Sequence, residues 1–189
     1  MQQIKEYLDQ IAAISDADWE FFTSKLQRRM IPKKNVFLKI NDTENYISFI
    51  ESGVVRLYMP KENPDKEITF GFSFENQFIS AYDSFLTRKP SAYQLQALTE
   101  TRLLSITYDD LQDVYKTTQI GNLIGRLTAE RLFLLKSKRE QNLLNLSAEE
   151  RYVRLFKERP ELLKVIPLKY ISSYIGVTAQ ALSRIRKRI

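Results

Sequence analysis

Ile166–Ile189 reads IPLKYISSYIGVTAQALSRIRKRI and contains no acidic residue. Its spacing predicts two short helices joined by a glycine-centred turn. Pro167 suits a first helical position, and Leu168, Ile171 and Ile175 recur at helical spacing. Gly176 can take the left-handed conformation that ends a helix, and Thr178 is suited to cap the next. On that second helix Leu182, Ile185 and Ile189 make the buried stripe. A turn of about 100° per residue gathers Gln180, Ser183, Arg184 and Lys187 on the opposite face. A cationic face with hydrogen-bonding tips is what the DNA major groove asks of a recognition helix. A helical hairpin with a solvated basic tail has the same local pattern, so the remaining charge map decides.

Charge is split unevenly along the 189 residues. Residues 1–115 carry 13 Lys and Arg against 17 Asp and Glu, a net of −4. Residues 116–189 carry 16 against 6, a net of +10. Such asymmetry points one half at a polyanion. An anionic membrane would need a wide apolar face beside the basic one, and these short capped helices lack it. The chain contains neither Cys nor His, which removes disulfides, thiolate chemistry, Cys or His metal sites, iron–sulfur clusters and His-ligated haem. A His base and a Cys nucleophile are likewise excluded, and five glycines form no phosphate loop. No signal pattern or long apolar run is present, so a cytoplasmic protein that is not an enzyme is expected. The pairs Asp109-Asp110 and Glu149-Glu150 read as helix-start charges favoured by the dipole.

Upstream, residues 2–14 predict an amphipathic helix through Ile4, Leu8 and Ile11. A second helix starts at Ser15, where Ser15 and Asp18 resemble a capping box ahead of Trp19, Phe22 and Leu26, and Pro32 ends that pattern. From about Val36 to Ile106 the period becomes two. In YISFIESGVVRLYM, Ile47, Phe49 and Val54 alternate and Ser52-Gly53 reads as a hairpin turn. Ile68, Phe70, Phe72 and Phe74 alternate in EITFGFSF and are assigned to the core rather than to a base-stacking platform. LQALTETRLLSI supplies two more strands around Thr99-Glu100, and Pro60 to Lys66 is a loop. Short, regularly spaced strands favour a small antiparallel barrel or sandwich.

From Tyr108 the helical period returns. Ile120, Leu123, Leu127 and Leu134, helped by Ile124 and Leu135, form one apolar seam. It can pack on its own barrel or pair with a second copy. Two-fold DNA readers need a dimer seam, so pairing is expected. Ser147 with Glu150 is a capping box opening a further helix through Tyr152, Val153 and Phe156 to Pro160. The expected class is α+β, divided into a β-barrel sensor with N-terminal helices over 1–115, a dimerisation helix over 116–144, and a helix-turn-helix over 145–189.

This order, together with FIESGVVRLYM, FLTRKPSAYQLQALTET, LSAEERY and IPLKYISSYIGVTAQALSRIRKR, resembles the Crp/Fnr family of bacterial transcription regulators over nearly the whole chain. The branch it looks like is the one common in Bacteroidetes-like bacteria. The resemblance implies a cyclic-nucleotide-binding-type barrel or jelly roll and a homodimer formed through the long helix. It also implies a winged helix-turn-helix on palindromic promoter DNA, with RNA polymerase as a further partner.

Two departures matter. Family members that bind cyclic AMP hold its phosphate with a Gly-Glu pair and, some ten residues on, Arg-Ser. Here Ser80-Ala81 and Pro90-Ser91 stand in those places, within FISAYDSFLTRKPSAY. Proline can neither pair with phosphate nor donate a backbone hydrogen bond, so cyclic AMP is not expected to bind. Arg88 lies close by. The candidate pocket comprises Ser80, Ala81, Tyr82, Arg88 and Ser91, with Lys136 and Ser137 where the family's base contacts fall. Lys136 and Ser137 leave a different anionic effector open, its identity unknown, and no cofactor is expected. Secondly, Lys164-Val165-Ile166 leaves room for only a very short wing strand.

Gln180 and Arg184 are the candidates for base-edge contacts, since Gln pairs with adenine and Arg with guanine through two groups each. Thr178, Ser183, Lys187, Lys169 and Arg186 are the candidates for phosphate contacts. The competing reading is a small-molecule-binding dimer whose basic end takes a protein or another anionic partner.

Overall fold

A computed structural model describes residues 1–158, 160 and 165–188. It divides into two compact units, Met1–Leu57 with Phe72–Glu130, and Tyr58–Gly71 with Arg131–Ile189.

The first unit opens with α1 (Gln2–Asp9) and α2 (Asp16–Ser24). The periodicity placed Ile11 within α1, but the helix stops at Asp9. Ser15 caps α2 by accepting the Asp18 N–H, as its spacing requires. Eight strands follow among the described residues: β1 (Gln27–Ile31), β2 (Val36–Leu38), β3 (Tyr46–Ser52), β4 (Val54–Met59), β5 (Ile68–Phe74), β6 (Phe78–Ile79), β7 (Gln94–Ala97) and β8 (Thr101–Thr107). They form two four-stranded sheets, ordered β1-β8-β3-β6 and β2-β7-β4-β5. The pairs β1–β8, β3–β8, β3–β6 and β2–β7 are antiparallel. The sheets do not close into one barrel; the arrangement is jelly-roll-like.

Two sequence expectations fail here, both through non-local pairing. Ser52-Gly53 is not a hairpin turn, because β3 and β4 belong to different sheets. Gly53 is the corner where the chain changes sheet, with φ at +111°, and the β7–β8 connection changes sheet beside it. The Val54 N–H donates to Thr99 Oγ1 at 3.0 Å and the Leu98 N–H to the Val54 carbonyl at 2.7 Å. A Cβ on Gly53 would lie 2.5 Å from Thr101 Oγ1 and 2.8 Å from the Glu100 carbonyl. The phenylalanine stripe of β5 is not core either. Ile68 is exposed, Phe70, Phe72 and Phe74 are half-buried, and Thr69 is the buried residue. Period two reports a strand, but β5 sits at a sheet edge, where both faces reach solvent more easily.

The core lies instead around Phe49 and Leu104, onto which α1 drops Ile4 and Leu8. Tyr7, Phe49 and Phe78 meet edge to face, with centroids 5.3–5.8 Å apart. Two helices follow, α3 (Tyr82–Thr87) and α4 (Tyr108–Thr117). The long helix α5 (Gly121–Asn145) crosses from one unit to the other, and near its start Ile124 packs against the core.

The second unit contains the rest of α5, then α6 (Ala148–Glu158), α7 (Leu168–Ile175) and α8 (Ala179–Arg188). The Ser147–Glu150 box is reciprocal: the Ser147 N–H donates to Glu150 Oε2 at 2.7 Å, and the Glu150 N–H to Ser147 Oγ at 3.3 Å. Gly176 ends α7 at φ +79°, and Thr178 Oγ1 accepts the Ala181 N–H. Tyr152, Ile166, Ile171, Ile175, Leu182 and Ile185 are buried, whereas Leu168 is exposed rather than part of that face. Ile189, assigned to the stripe, lies outside the described residues. Of the expected wing strand, Lys164 lies outside them too, Val165 is helical and Ile166 sits in a bend.

Candidate functional site

The α7–turn–α8 unit presents one face to solvent. Leu182 and Ile185 anchor α8 from beneath, which leaves Thr178, Gln180, Ser183, Arg184, Arg186 and Lys187 exposed. The residues singled out for base and phosphate contacts therefore lie together on α8 and its capping turn. Lys169 stands apart, on the first turn of α7, with its Nζ 3.0 Å from Asp65. Asp65 belongs to the β4–β5 connection, which packs into this same unit. Ser173 of α7 clasps that connection: its Oγ donates to the Glu67 carbonyl and accepts the Thr69 N–H, both at 2.8 Å. The ion pair is solvent-exposed, and such pairs contribute about 0–1 kcal/mol, so Lys169 can exchange Asp65 for a phosphate at little cost.

Arg151 of α6 pins the unit together. Its Nε donates to the Ile175 carbonyl at 2.8 Å, and its Nη1 to the Leu146 carbonyl at 2.5 Å. One guanidinium thus caps the C-terminal ends of α7 and α5, where unsatisfied carbonyls and the helix dipole favour a cation. Sequence reasoning missed it. The only local signal was an arginine at a half-buried helical position, and its acceptors lie up to 24 residues away.

In the first unit, the residues of the expected phosphate cassette bond to neighbouring backbone and side chains outside the cassette. Ser80 Oγ donates to the Tyr46 carbonyl, and buried Ser91 Oγ to the Tyr93 carbonyl. Arg88, at φ +57°, sends Nη1 to the Glu44 carbonyl at 2.7 Å and Nη2 to Asn45 Oδ1 at 2.6 Å, and stacks over Tyr108. The Ala81 N–H donates to Glu44 Oε2 at 3.3 Å. Glu44 is itself buried and also accepts the Tyr46 N–H at 2.9 Å. Burial pushes its carboxyl above the ordinary range, against the backbone hydrogen bonds that favour the anion. Tyr82 is half-buried, and burial raises its phenol. Tyr93 donates to Asp83 Oδ1 at 2.5 Å, and burial together with that carboxylate holds its phenol protonated. Glu44 was not foreseen, because its reach to Ala81 spans 37 residues.

Residues 28–118, from β1 through α4, match the cyclic nucleotide-binding domain.

Comparison with curated protein sequences finds no match. Among solved structures, the c-di-GMP-responsive global regulator CLP of Xanthomonas campestris shares 19% identity at a TM-score of 0.70, covering 92% of this chain and 91% of that one. The catabolite activator protein of Thermus thermophilus shares 19% at 0.58, covering 94% and 84%. A protein described as a Crp/Fnr-family regulator from Eubacterium rectale shares 16% at 0.71, covering 93% and 83%. The chain has the fold of Crp/Fnr-type regulators: a cyclic nucleotide-binding domain, a long helix and a small helical C-terminal part.

Outside the cyclic nucleotide-binding domain, Lys136 is exposed on α5, and Ser137 Oγ lies 3.3 Å from the Gln141 amide nitrogen that donates to it. The apolar seam is open within one chain. Ile120 and Leu127 are half-buried, Leu123 is exposed, and Leu134 is 67% exposed beside Phe133 at 70%. No described helix is long and apolar enough to cross a membrane. No group of acidic side chains among the described residues could hold a metal.

Proposed function

We propose that this chain is a homodimeric, sequence-reading DNA regulator of the Crp/Fnr type that does not respond to cyclic AMP. The observation that carries the reading is the exposed face of α8, where Gln180, Ser183, Arg184 and Lys187 project away from buried Leu182 and Ile185. The helix-turn-helix is α7 and α8; Gln180 and Arg184 read base edges, while Thr178, Ser183, Arg186, Lys187 and Lys169 hold phosphates. Residues 1–115 sense, 116–144 dimerise and 145–189 read DNA. Pairing through Ile120, Leu123, Leu127 and Leu134 sets two copies of α8 about one DNA turn apart. RNA polymerase is the further partner, and the cytoplasm is the compartment.

The case against cyclic AMP rests on the Ala81 region. A phosphodiester there would have to displace Glu44 from the Ala81 amide, face that carboxylate, and detach Arg88 from Glu44 O and Asn45. Pro90 offers no donor in return. Isothermal titration is expected to show no cyclic AMP binding at micromolar concentrations; saturable micromolar binding would refute this part. Selection from a random duplex pool tests the DNA reading, which fails if no sequence is enriched.

A further inference from the structure

The second unit holds a cleft of about 70 Å³ where the last turns of α5 meet α6 and the end of α7. Among the described residues, Arg139, Arg151 and Arg154 all line it, with Glu158 as the one carboxylate and Leu143, Leu155 and Ile175 as apolar wall. Much of this charge is already committed. Arg151 caps helix ends, as described, and Arg154 sends Nε to Glu158 at 2.8 Å and Nη1 to Asn142 Oδ1 at 3.0 Å. Arg139 differs. It stacks on the Tyr174 ring, 4.6 Å from its centroid, and its Nη2 donates to the Tyr174 carbonyl at 3.2 Å. Its Nε is fully buried and has no hydrogen-bond partner among the described residues. A buried donor of a charged group left unsatisfied is costly and uncommon, and an ion or water at that point is its usual explanation.

We propose that this cleft is a binding site for a small oxyanion of the phosphate type. Among the described residues, three guanidinium groups against one carboxylate give the cleft an excess of two positive charges. Guanidinium forks match tetrahedral oxyanions in geometry as well as charge. The cleft has room for a small ion or a few waters. A bound oxyanion accepts the Arg139 Nε–H and ties the end of α5 to α6 and α7 through one ligand. The proposal does not depend on the DNA reading.

The test uses the full chain with arginine side chains labelled for NMR, titrated with inorganic phosphate at constant ionic strength against chloride. The expected result is a saturable shift of the Arg139 Nε–H with a dissociation constant of about 1 mM. Arg154→Gln is expected to weaken binding about ten-fold, and Arg139→Gln to abolish it. Arg154 and Glu158 are surface groups, so the Arg154 variant keeps the test valid should the Arg139 variant fail to fold. A variant carrying Arg184→Ala and Lys187→Ala is expected to retain the shift. The proposal is overturned if the shift is absent, if chloride reproduces it, or if the Arg184/Lys187 variant loses it. Tighter binding of adenosine monophosphate than of phosphate would overturn the assigned ligand class, and a shift seen only with duplex DNA would overturn a free ion as its source.

Discussion

Replacing Arg151 by methionine isolates the contribution of one guanidinium to the second unit. Methionine keeps an apolar stem of similar reach and removes the cation. Two short bonds are lost, to the carbonyls of Ile175 and Leu146, with a longer contact to the Leu143 carbonyl at 3.4 Å. Bonds from charged donors contribute about 1.5–3 kcal/mol each, and the lower end applies because Arg151 is half-buried and freed helix-end carbonyls can turn to water. Removing a cation from two helix C-termini costs about 0.3–1 kcal/mol at each. The total is about 3.6–5 kcal/mol, a large share of a typical domain's stability. The chain has a single tryptophan, Trp19, in the first unit, so fluorescence reports that unit while far-ultraviolet circular dichroism reports all helices. Urea titration of the variant is expected to show an early loss of helical signal with the Trp19 transition unmoved. Arg151→Lys, which keeps the charge but cannot fork to both carbonyls, is expected to lose about half as much. A change below about 0.5 kcal/mol, or a Trp19 transition that moves as far as the helical one, would refute the reasoning.

Three further outcomes follow from the geometry. Gly53→Ala is expected to destabilise the first unit by about 2–4 kcal/mol, read by Trp19 fluorescence, because a φ of +111° and a contact of 2.5 Å both oppose a Cβ. The proposed pairing through α5 predicts a dimer in analytical ultracentrifugation that Leu134→Asp converts to single chains without shifting the Trp19 transition, since Leu134 is exposed within one chain. Carboxyl NMR is expected to place Glu44 above its ordinary 4.5 and Asp110 below its ordinary 3.8, the latter held down by the Thr107 hydroxyl and then by Lys25. The signs differ. Glu44 contributes stability that is full below 4.5 and lost as pH rises through its raised value, whereas the Asp110 contribution is full above 3.8 and lost as pH falls through its depressed value. Midpoints in the opposite order would contradict the burial of Glu44.

What was legible in the chain is what is local. The Ser147–Glu150 box, the Gly176 stop and the Thr178 cap each rest on contacts within five residues, and each forms as its spacing requires. The stripe of α8 follows from the helical period at Leu182 and Ile185. Non-local pairing was not legible. Ser52-Gly53 looks like a hairpin because the chain turns there, and nothing in those residues reveals that β3 pairs with β8 instead. The β5 phenylalanines announce a strand but not its edge position. Likewise, Asp65 meets Lys169 and Glu67 meets Ser173 across more than 100 residues, so the clasp on α7 emerges only from the fold.

The most direct measurement is fluorescence anisotropy of the full chain on a duplex selected from a random pool, across a salt series with random-sequence competitor. The expected result is a preference for the selected duplex at moderate salt. Arg184→Ala should reduce that preference by about 1–3 kcal/mol, and Lys187→Ala should weaken all duplexes alike and lower the salt slope by about one. Equal affinity for selected and random duplexes at moderate salt would contradict a sequence-reading α8.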